Sequence, residues 1–330
     1  MAYPILSSLL DESALKHFLT TWPDQPVFTH GPRSRLPDIF QTSALKSIDK
    51  LSNAYHGCTM ESDLRADGKM KTVTDKVNTI LARGHTAHLG DVSPLINGMD
   101  NFLQQLAGEL GIDTDSIRAA AFVSETGNGA SCHYDVLEVI SIQLIGTKHF
   151  YIAPVHEIRY PYGYQYCPES PPYDSLYPQI SRSFPDYTTQ DFKQIDMQPG
   201  SVLCMPRGTW HHTEANSTSM SISLVLSPPN EIENLVDQLT VTLLQNAEWR
   251  RPRYGLKGKK TNGKSISVRL ETPEHTAEII KWIVLQEGPF TVHQLMKQFS
   301  GLNAEIVEQV FKIASEAELV RFLWFDPVAH

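Results

Sequence analysis

The chain has few cysteines, no long apolar run and no excess of basic residues. Its 330 residues include only four cysteines, and no two of them form a Cys-x-x-Cys pair. This spacing predicts neither a zinc module nor a disulfide framework. No stretch approaches the roughly 18 apolar residues that a membrane-spanning helix needs. The formal net charge of −9 argues against a protein that coats nucleic acid.

The first 18 residues, MAYPILSSLLDESALKHF, have no basic region ahead of their short apolar stretch. We therefore expect no secretory signal peptide, and the unpaired cysteines fit a cytoplasmic protein. Apolar residues make up 41% of the chain and charged residues 20%, which is typical of a globular protein and excludes wholesale disorder. A chain of this length is expected to hold about two domains.

Two blocks rich in β-branched and aromatic residues, 118–154 and 195–227, predict short strands joined by turns. Their spacing favours a β-sandwich or barrel. Ahead of them, we expect Asp11 to cap a helix and residues 26–30 to form a strand. Residues 100–110 predict a second helix with one apolar face. The sequence shows no internal repeat.

The segment between the two β blocks is unusual in composition. Residues 154–185 hold seven of the 21 prolines and six tyrosines. One interpretation is a surface loop stiffened by proline and packed by its own rings. The other is a lid over a site, since long loops in compact domains are often functional.

After residue 228 the pattern becomes helical. An apolar stripe at 3.6-residue spacing predicts a helix over 231–248, and residues 250–269 carry eight basic residues and no acidic one, which is typical of a linker. Residues 272–330 predict three short helices and a strand, which fits a winged helix. That part has four basic and eight acidic residues, so we expect no DNA binding.

The sharpest motif is His133-Tyr134-Asp135. Residues two apart on a strand point to the same face, so His133 and Asp135 can aim an imidazole and a carboxylate at one point. A third ligand is available from the second β block, at His211 or His212. Two histidines and one carboxylate on one face of a metal, with three positions open, form the facial triad of non-haem Fe(II) oxygenases.

A basic residue, Lys148, lies 15 residues after His133, beyond Gly146. The 2-oxoglutarate used by such oxygenases binds iron through its keto-acid end, and its distal carboxylate needs a buried cation. Two other histidines, His85 and His88, are assigned to a polar turn, without a role at the metal.

Taken together, these residues resemble a known family. The motifs that carry the likeness are His133-x-Asp135, Gln143, Gly146, Lys148, Pro199-Gly200 and Pro206-Arg207-Gly208-Thr209-Trp210-His211. They look like the JmjC and cupin-like 2-oxoglutarate oxygenases. Residues 133–154 are similar to the asparaginyl hydroxylase that inhibits hypoxia-inducible factor, and residues 206–211 resemble the ribosomal oxygenases. The motifs span about 118–227, and the architecture covers nearly the whole chain.

The resemblance implies a fold and a domain plan. The fold class is α+β, with a double-stranded β-helix of the jelly-roll or cupin type as its centre. Residues 1–229 would form the catalytic domain, 230–271 a helical region with the basic linker, and 272–330 the winged-helix domain. In the family the helical region serves for dimerisation, which predicts a homodimer, although the same stripe is compatible with packing inside one chain.

The resemblance also implies residue roles. Fe(II) would be bound by His133, Asp135 and His211, because the family uses the first histidine after the turn aromatic. His212 would then face the other side of the strand. Lys148 would hold 2-oxoglutarate, where the ribosomal oxygenases usually have arginine. The family often has a hydroxyl residue three positions before the first ligand, and this chain departs from that pattern with Ala130. Candidates for further co-substrate contacts are Ser131, Gln143, Ser221 and Ser223, and a structural role is the alternative for each.

The implied reaction consumes O₂ and 2-oxoglutarate, releases succinate and CO₂, and hydroxylates a C–H bond. The resemblance favours a protein or peptide side chain as substrate. Three alternatives stay open: hydroxylation of a small molecule, free amino acid or biosynthetic peptide; action on RNA, or RNA binding, through residues 250–269; and a binding protein that has lost catalysis. The intact triad argues against the last.

Overall fold

The computed structural model describes residues 3–62, 71–163, 166–168, 174–180 and 186–243, together with positions 279, 282, 294 and 297–299. The chain divides into two compact units, 1–228 and 229–330. The predicted basic linker lies outside the described residues, and so does the predicted winged helix apart from those few positions. Its fold therefore stays a prediction.

Two antiparallel sheets form the centre of the first unit. Their strands are β1 (Val27–Thr29), β2 (Thr59–Ser62), β3 (Lys71–Val73), β4 (Thr86–Leu89), β5 (Ile117–Ser124), β6 (Gly129–His133), β7 (Glu138–Ile145), β8 (Lys148–Pro154), β9 (Lys193–Met197), β10 (Val202–Met205), β11 (Thr209–Ala215) and β12 (Ser219–Leu226). The large sheet has the order β1-β10-β7-β12-β5-β4-β2-β3, and the small sheet has the order β6-β11-β8-β9. This jelly-roll-like arrangement confirms the predicted β core.

The helices are α1 (Pro4–Leu9), α2 (Glu12–Thr21), α3 (Ile48–Ala54), α4 (Val77–Ala82), α5 (Met99–Leu110) and α6 (Glu231–Leu243). The predicted cap of α2 is present, since the Asp11 carboxylate accepts a hydrogen bond from the Ala14 amide at 2.9 Å. The predicted helix near 100–110 is α5, which buries Phe102, Leu103 and Leu106 in the main core.

Strand β12 is buried along its whole length because both of its faces are covered. Met220, Ile222 and Leu224 point into the main apolar core, which includes residues of α5. Ser221 and Ser223 point the other way, into the space between the two sheets. Because successive side chains of a strand point to opposite faces, β12 has one face that packs in the core and one that is polar.

The turn between β7 and β8 requires glycine. Gly146 has a φ of 64°, and a Cβ atom there would lie 2.1 Å from the Thr218 carbonyl oxygen. The Gln143 side-chain amide donates to the carbonyl oxygens of Ile145, at 2.7 Å, and Gly146, at 3.1 Å. These bonds fix the start of β8 and therefore the place of Lys148.

In the second unit the structure describes α6, which confirms the predicted helix at its start. The Asn230 side chain accepts hydrogen bonds from the amides of Ile232 and Glu233, and the Glu233 carboxylate accepts from the Asn230 amide. This is a capping box. Ile232, Val236 and Val241 are exposed on the helix. Among the described residues, no helix combines the length and apolar character needed to cross a membrane.

Candidate active site

The two histidines of the predicted metal site lie side by side on neighbouring strands. His133 at the end of β6 is directly opposite His211 on β11, and their ring centroids are 4.2 Å apart. Asp135 follows β6, with one carboxylate oxygen 3.6 Å from His133 Nε2 and the other 3.6 Å from His211 Nε2. The three ligand atoms all lie within 4.8 Å of one another. One metal ion can therefore contact all three.

Backbone carbonyl groups orient both imidazole rings. His133 Nδ1 is 2.7 Å from the Ser131 carbonyl oxygen, and His211 Nδ1 is 3.0 Å from the Thr209 carbonyl oxygen. A carbonyl can only accept, so each Nδ1 carries the proton and each Nε2 presents its lone pair towards Asp135. Burial and the neighbouring His133 lower the pKa of His211 to about 4, which keeps it in the neutral form that binds metals.

A register shift in β6 decides which residues face the space between the sheets. His133 pairs with His211, but Ala130 pairs with Thr213, so two residues of β6 stand opposite His212 alone. This is a β-bulge. It places both Ala130 and His133 on the cavity side, although strict alternation would separate them.

The other face of the ligand strands carries an aromatic cluster. Tyr134 lies between two ligands and Trp210 precedes the third, and their ring centroids are 5.1 Å apart. Tyr134 also exchanges two backbone hydrogen bonds with Tyr166. Leu176 completes the buried cluster. The described parts of the proline- and tyrosine-rich segment therefore cover the outer face of these strands, which favours the packed-loop interpretation for those residues.

Lys148 lies in the same cavity as the three candidate ligands, a space of about 210 Å³. It is 3% exposed, and burial lowers its pKa to about 8. Within the described ranges, no carboxylate lies at ion-pair distance from its ammonium group. A buried cation without a counter-charge is costly, so this position is suited to an anionic ligand.

The predicted co-substrate contacts have different placements. Ser223 and Ser221 line the cavity, as the alternation of β12 requires. Gln143 does not line it, because its amide is engaged by the carbonyls of the β7–β8 turn. Ser131 is also absent from the lining, because the bulge brings Ala130 there instead.

Two residues that line the cavity, His88 and Arg118, were not predicted from the sequence to do so. The assignment of His88 to a polar turn was wrong: it lies on β4, is 6% exposed and stacks on Phe122. The short run Thr86–Leu89 is bordered by glycines, which imitates a turn, and its burial depends on pairing with strands far along the chain. Arg118 on β5 also lines the cavity, and only its position on the inner face of that strand could have indicated it.

Comparisons with known proteins agree with this architecture. Residues 108–235, which include all three candidate ligands and Lys148, match the JmjC domain family. The uncharacterized protein YxbC of Bacillus subtilis (strain 168) is 20% identical over 256 residues, which cover 74% of this chain and 78% of YxbC.

Among solved structures, E. coli ycfD matches with a TM-score of 0.50 and 17% identity over 90% of this chain and 70% of that one. A structure of YcfD described as a ribosomal oxygenase from Escherichia coli, in complex with cobalt and 2-oxoglutarate, matches with a TM-score of 0.46 and 16% identity over 86% of this chain and 77% of that one. At these identities the likeness to ycfD is one of fold.

Proposed function

We propose that this chain, whose JmjC domain makes it a 2-oxoglutarate-dependent oxygenase, hydroxylates a C–H bond in a protein or peptide side chain. One observation carries the proposal. His133, Asp135 and His211 converge in a cavity that also holds the buried Lys148, which has no ion-pair partner among the described residues. A metal triad alone fits several enzymes, whereas a triad with a buried cation in the same space fits a metal-bound dicarboxylate.

The donor set fits Fe(II). Two neutral imidazoles and one carboxylate supply three ligands on one side and leave other positions open, as non-haem Fe(II) sites require. When bound there, Fe(II) supplies the activation of O₂ that is coupled to the decarboxylation of 2-oxoglutarate to succinate and CO₂. The carbonyl groups of Ser131 and Thr209 hold the two rings in the tautomer needed for binding.

Lys148 and the apolar residues around it serve the co-substrate. Lys148 donates charge-assisted hydrogen bonds to the distal carboxylate, and binding of that anion raises its pKa again. Phe150, Met205 and Val225 make the surrounding walls apolar. These apolar side chains lower the local dielectric constant, which strengthens the attraction between Lys148 and the carboxylate.

A larger cavity supports a protein or peptide substrate. It has a volume of about 640 Å³ and borders Gly208 and Thr209, in the turn that leads to His211. Its walls combine aromatic and charged side chains, including Phe28, Tyr160 and Arg159. Such a mixed surface suits an extended peptide segment. Hydroxylation of a small molecule is the alternative, and identification of the product separates the two.

The first test is anaerobic binding of Fe(II) and 2-oxoglutarate, followed by the visible charge-transfer absorption of the chelate. The wild-type chain should develop this absorption, and Lys148→Ala and His211→Ala should lose or weaken it. Their neighbours on the same strands provide matched controls: His149→Ala and His212→Ala change residues outside the cavity lining and should retain it. A folded wild-type chain without this absorption would refute the proposed iron site.

The second test concerns the substrate. Incubation of the holoenzyme with a proteome, followed by mass spectrometry, should reveal peptides that gain one oxygen atom. The same peptides should stay unmodified with Asp135→Ala. If oxygen is gained only by small molecules, the protein-substrate proposal is wrong while the oxygenase chemistry stands.

A further inference from the structure

We propose that His88 and Arg118 form a recognition pair for the substrate, and that they select a target group ending in oxygen acceptors, a carboxamide or a carboxylate, over a basic side chain. This inference rests on the proposed oxygenase function and names the chemical class of its target. It concerns residues that neither bind the metal nor hold the co-substrate in the function proposed above.

His88 is a buried imidazole, and neither of its ring nitrogens has a hydrogen-bond partner among the residues that the structure describes. Its strand places it between Met60 on β2 and Phe122 on β5, and its ring stacks on Phe122 at 4.3 Å between centroids and 6° between planes. Both ring nitrogens are themselves buried. An unsatisfied buried polar group costs about 1–3 kcal/mol, so its place in a cavity wall indicates a ligand that satisfies it.

Arg118 lies on the same face of β5, four residues before Phe122, and lines the same cavity. Its Nε donates to the Gly90 carbonyl oxygen at 3.2 Å, which fixes the stem of the side chain. The residue is exposed, and in the part of the chain that the structure describes its terminal nitrogens make no hydrogen bond or ion pair. The guanidinium group is therefore held in place and free to donate.

His88 on β4 and Arg118 on β5 belong to the large sheet, whereas His133, Lys148 and His211 lie on strands of the small sheet. The pair therefore lines the cavity from the sheet opposite the proposed metal and co-substrate residues. Burial and the Arg118 charge lower the pKa of His88 to about 4, so the ring is neutral. A neutral ring has one N–H donor and one acceptor nitrogen.

The chemistry of the pair favours oxygen acceptors. The His88 N–H and the Arg118 guanidinium both donate hydrogen bonds, and carboxamide or carboxylate oxygens accept them. Among the described residues that line this cavity, Asp135 is the one carboxylate, and the metal would engage it. A guanidinium or ammonium target would meet the like charges of Arg118 and of the buried Lys148 without a free carboxylate among the described lining residues, which is unfavourable.

The experiment compares the residue type that is hydroxylated with the effect of two substitutions. Wild-type holoenzyme is incubated with a proteome, and modified residues are assigned by mass spectrometry. The expected targets carry amide or acid side chains. The rate on the strongest target should fall about tenfold in His88→Phe, which keeps the stack on Phe122 but removes the N–H, as the loss of one hydrogen bond in a buried site predicts.

The controls separate recognition from folding. Compared with His88→Phe, His88→Gln should recover much of the wild-type rate, because the glutamine amide supplies both a hydrogen-bond donor and an acceptor. Arg118→Gln changes an exposed residue and should also lower the rate, so it tests the proposal even if His88→Phe folds poorly. His156→Gln changes an exposed loop residue and should leave the rate unchanged.

Binding of Fe(II) and 2-oxoglutarate separates failure of this inference from failure of the proposed function. Each variant should bind both as the wild type does. Hydroxylation of arginine or lysine residues, an unchanged rate in both His88→Phe and Arg118→Gln, or weaker 2-oxoglutarate binding in His88→Phe would overturn the recognition pair. A wild-type chain that binds neither Fe(II) nor 2-oxoglutarate would overturn the oxygenase proposal and the pair with it.

Discussion

Tyr134 and Trp210 pack edge to face, with ring centroids 5.1 Å apart and an angle of 66° between the planes, directly behind the candidate metal ligands. Each of these rings is adjacent in sequence to a ligand, so packing on one side of the sheet constrains the positions of His133, Asp135 and His211 on the other. The aromatic cluster thus fixes the positions of the candidate metal ligands from the opposite face of the small sheet.

Truncation of this cluster should weaken both stability and metal binding. Trp210 is fully buried, and Trp210→Ala should lower the free energy of unfolding by about 3–5 kcal/mol. Urea unfolding and titration with Fe(II) measure the two effects. Tyr134→Phe is the matched control, because the buried Tyr134 hydroxyl has no hydrogen-bond partner in the described part of the chain and its removal should cost little. Wild-type stability in Trp210→Ala would contradict this role.

Loss of the carboxylate ligand should abolish turnover. Asp135→Ala removes the group that lies between the two imidazoles, so substrate-linked succinate formation should disappear. Fe(II) affinity should fall at least about tenfold, because the variant lacks the one charged ligand of the triad. Succinate assays and Fe(II) titration check this. Unchanged turnover in a folded Asp135→Ala protein would remove Asp135 from the proposed triad.

The lowered pKa of Lys148 predicts a stability cost. Its pKa is about 8 in the folded chain against an ordinary 10.5, so the unfolded chain binds more protons between these values and stability rises with pH across that window. Below pH 8 the full cost is present, and Lys148→Met should raise the free energy of unfolding at pH 7 by about 3 kcal/mol. Lys16→Met, at an exposed position, should change it by less than about 0.5 kcal/mol.

The same group sets the pH dependence of co-substrate binding. Lys148 is charged below a pH of about 8 and loses its proton above it. The affinity for 2-oxoglutarate should therefore be constant below that pH and decrease above it. Binding titrations from about pH 6.5 to 9.5 test the profile, because this range spans the pKa of Lys148. A flat profile, or unchanged affinity in Lys148→Met, would exclude this residue from the anion site.

The turn at Gly146 should tolerate no side chain. Gly146→Ala forces a Cβ atom against the Thr218 carbonyl at a φ of 64°, and should destabilise the fold by more than about 1 kcal/mol while displacing Lys148. Gly108→Ala, in α5 with open space around it, should instead stabilise by up to about 1 kcal/mol. Thermal unfolding of the two variants should shift in opposite directions, and equal shifts would contradict the argument.

The exposed apolar residues of α6 bear on the predicted homodimer. Ile232 and Val236 are 55% and 52% exposed within one chain, and a dimer would cover them. Light scattering of the full chain should then give twice the monomer mass of 37.1 kDa. The double substitution of Ile232→Glu and Val236→Glu should give the monomer mass. A monomeric wild type would refute the dimer.

The local features of the site were accessible from sequence. Strand alternation correctly placed His133 and Asp135 on one side, and the glycine turn indicated the start of the strand that carries Lys148. Both inferences depend on neighbours only a few residues apart, where backbone geometry is nearly fixed by residue type.

Features that depend on distant pairing were not accessible. The bulge in β6 moves Ala130, and not Ser131, to the cavity, and no local signal distinguishes a bulge from a regular strand. His88 joins the cavity because β4 pairs with both β2 and β5, residues that lie about 30 positions away on either side. Such pairings are properties of the assembled sheet.

Alternate residues of strand β12 face the apolar core and the cavity. Met220, Ile222 and Leu224 belong to the apolar core, and the serines between them border the cavity. Ser221 and Ser223 can therefore change under selection for a new ligand while the neighbouring positions continue to maintain the fold. This separation gives the protein a route by which its specificity could evolve through single, structurally tolerated steps.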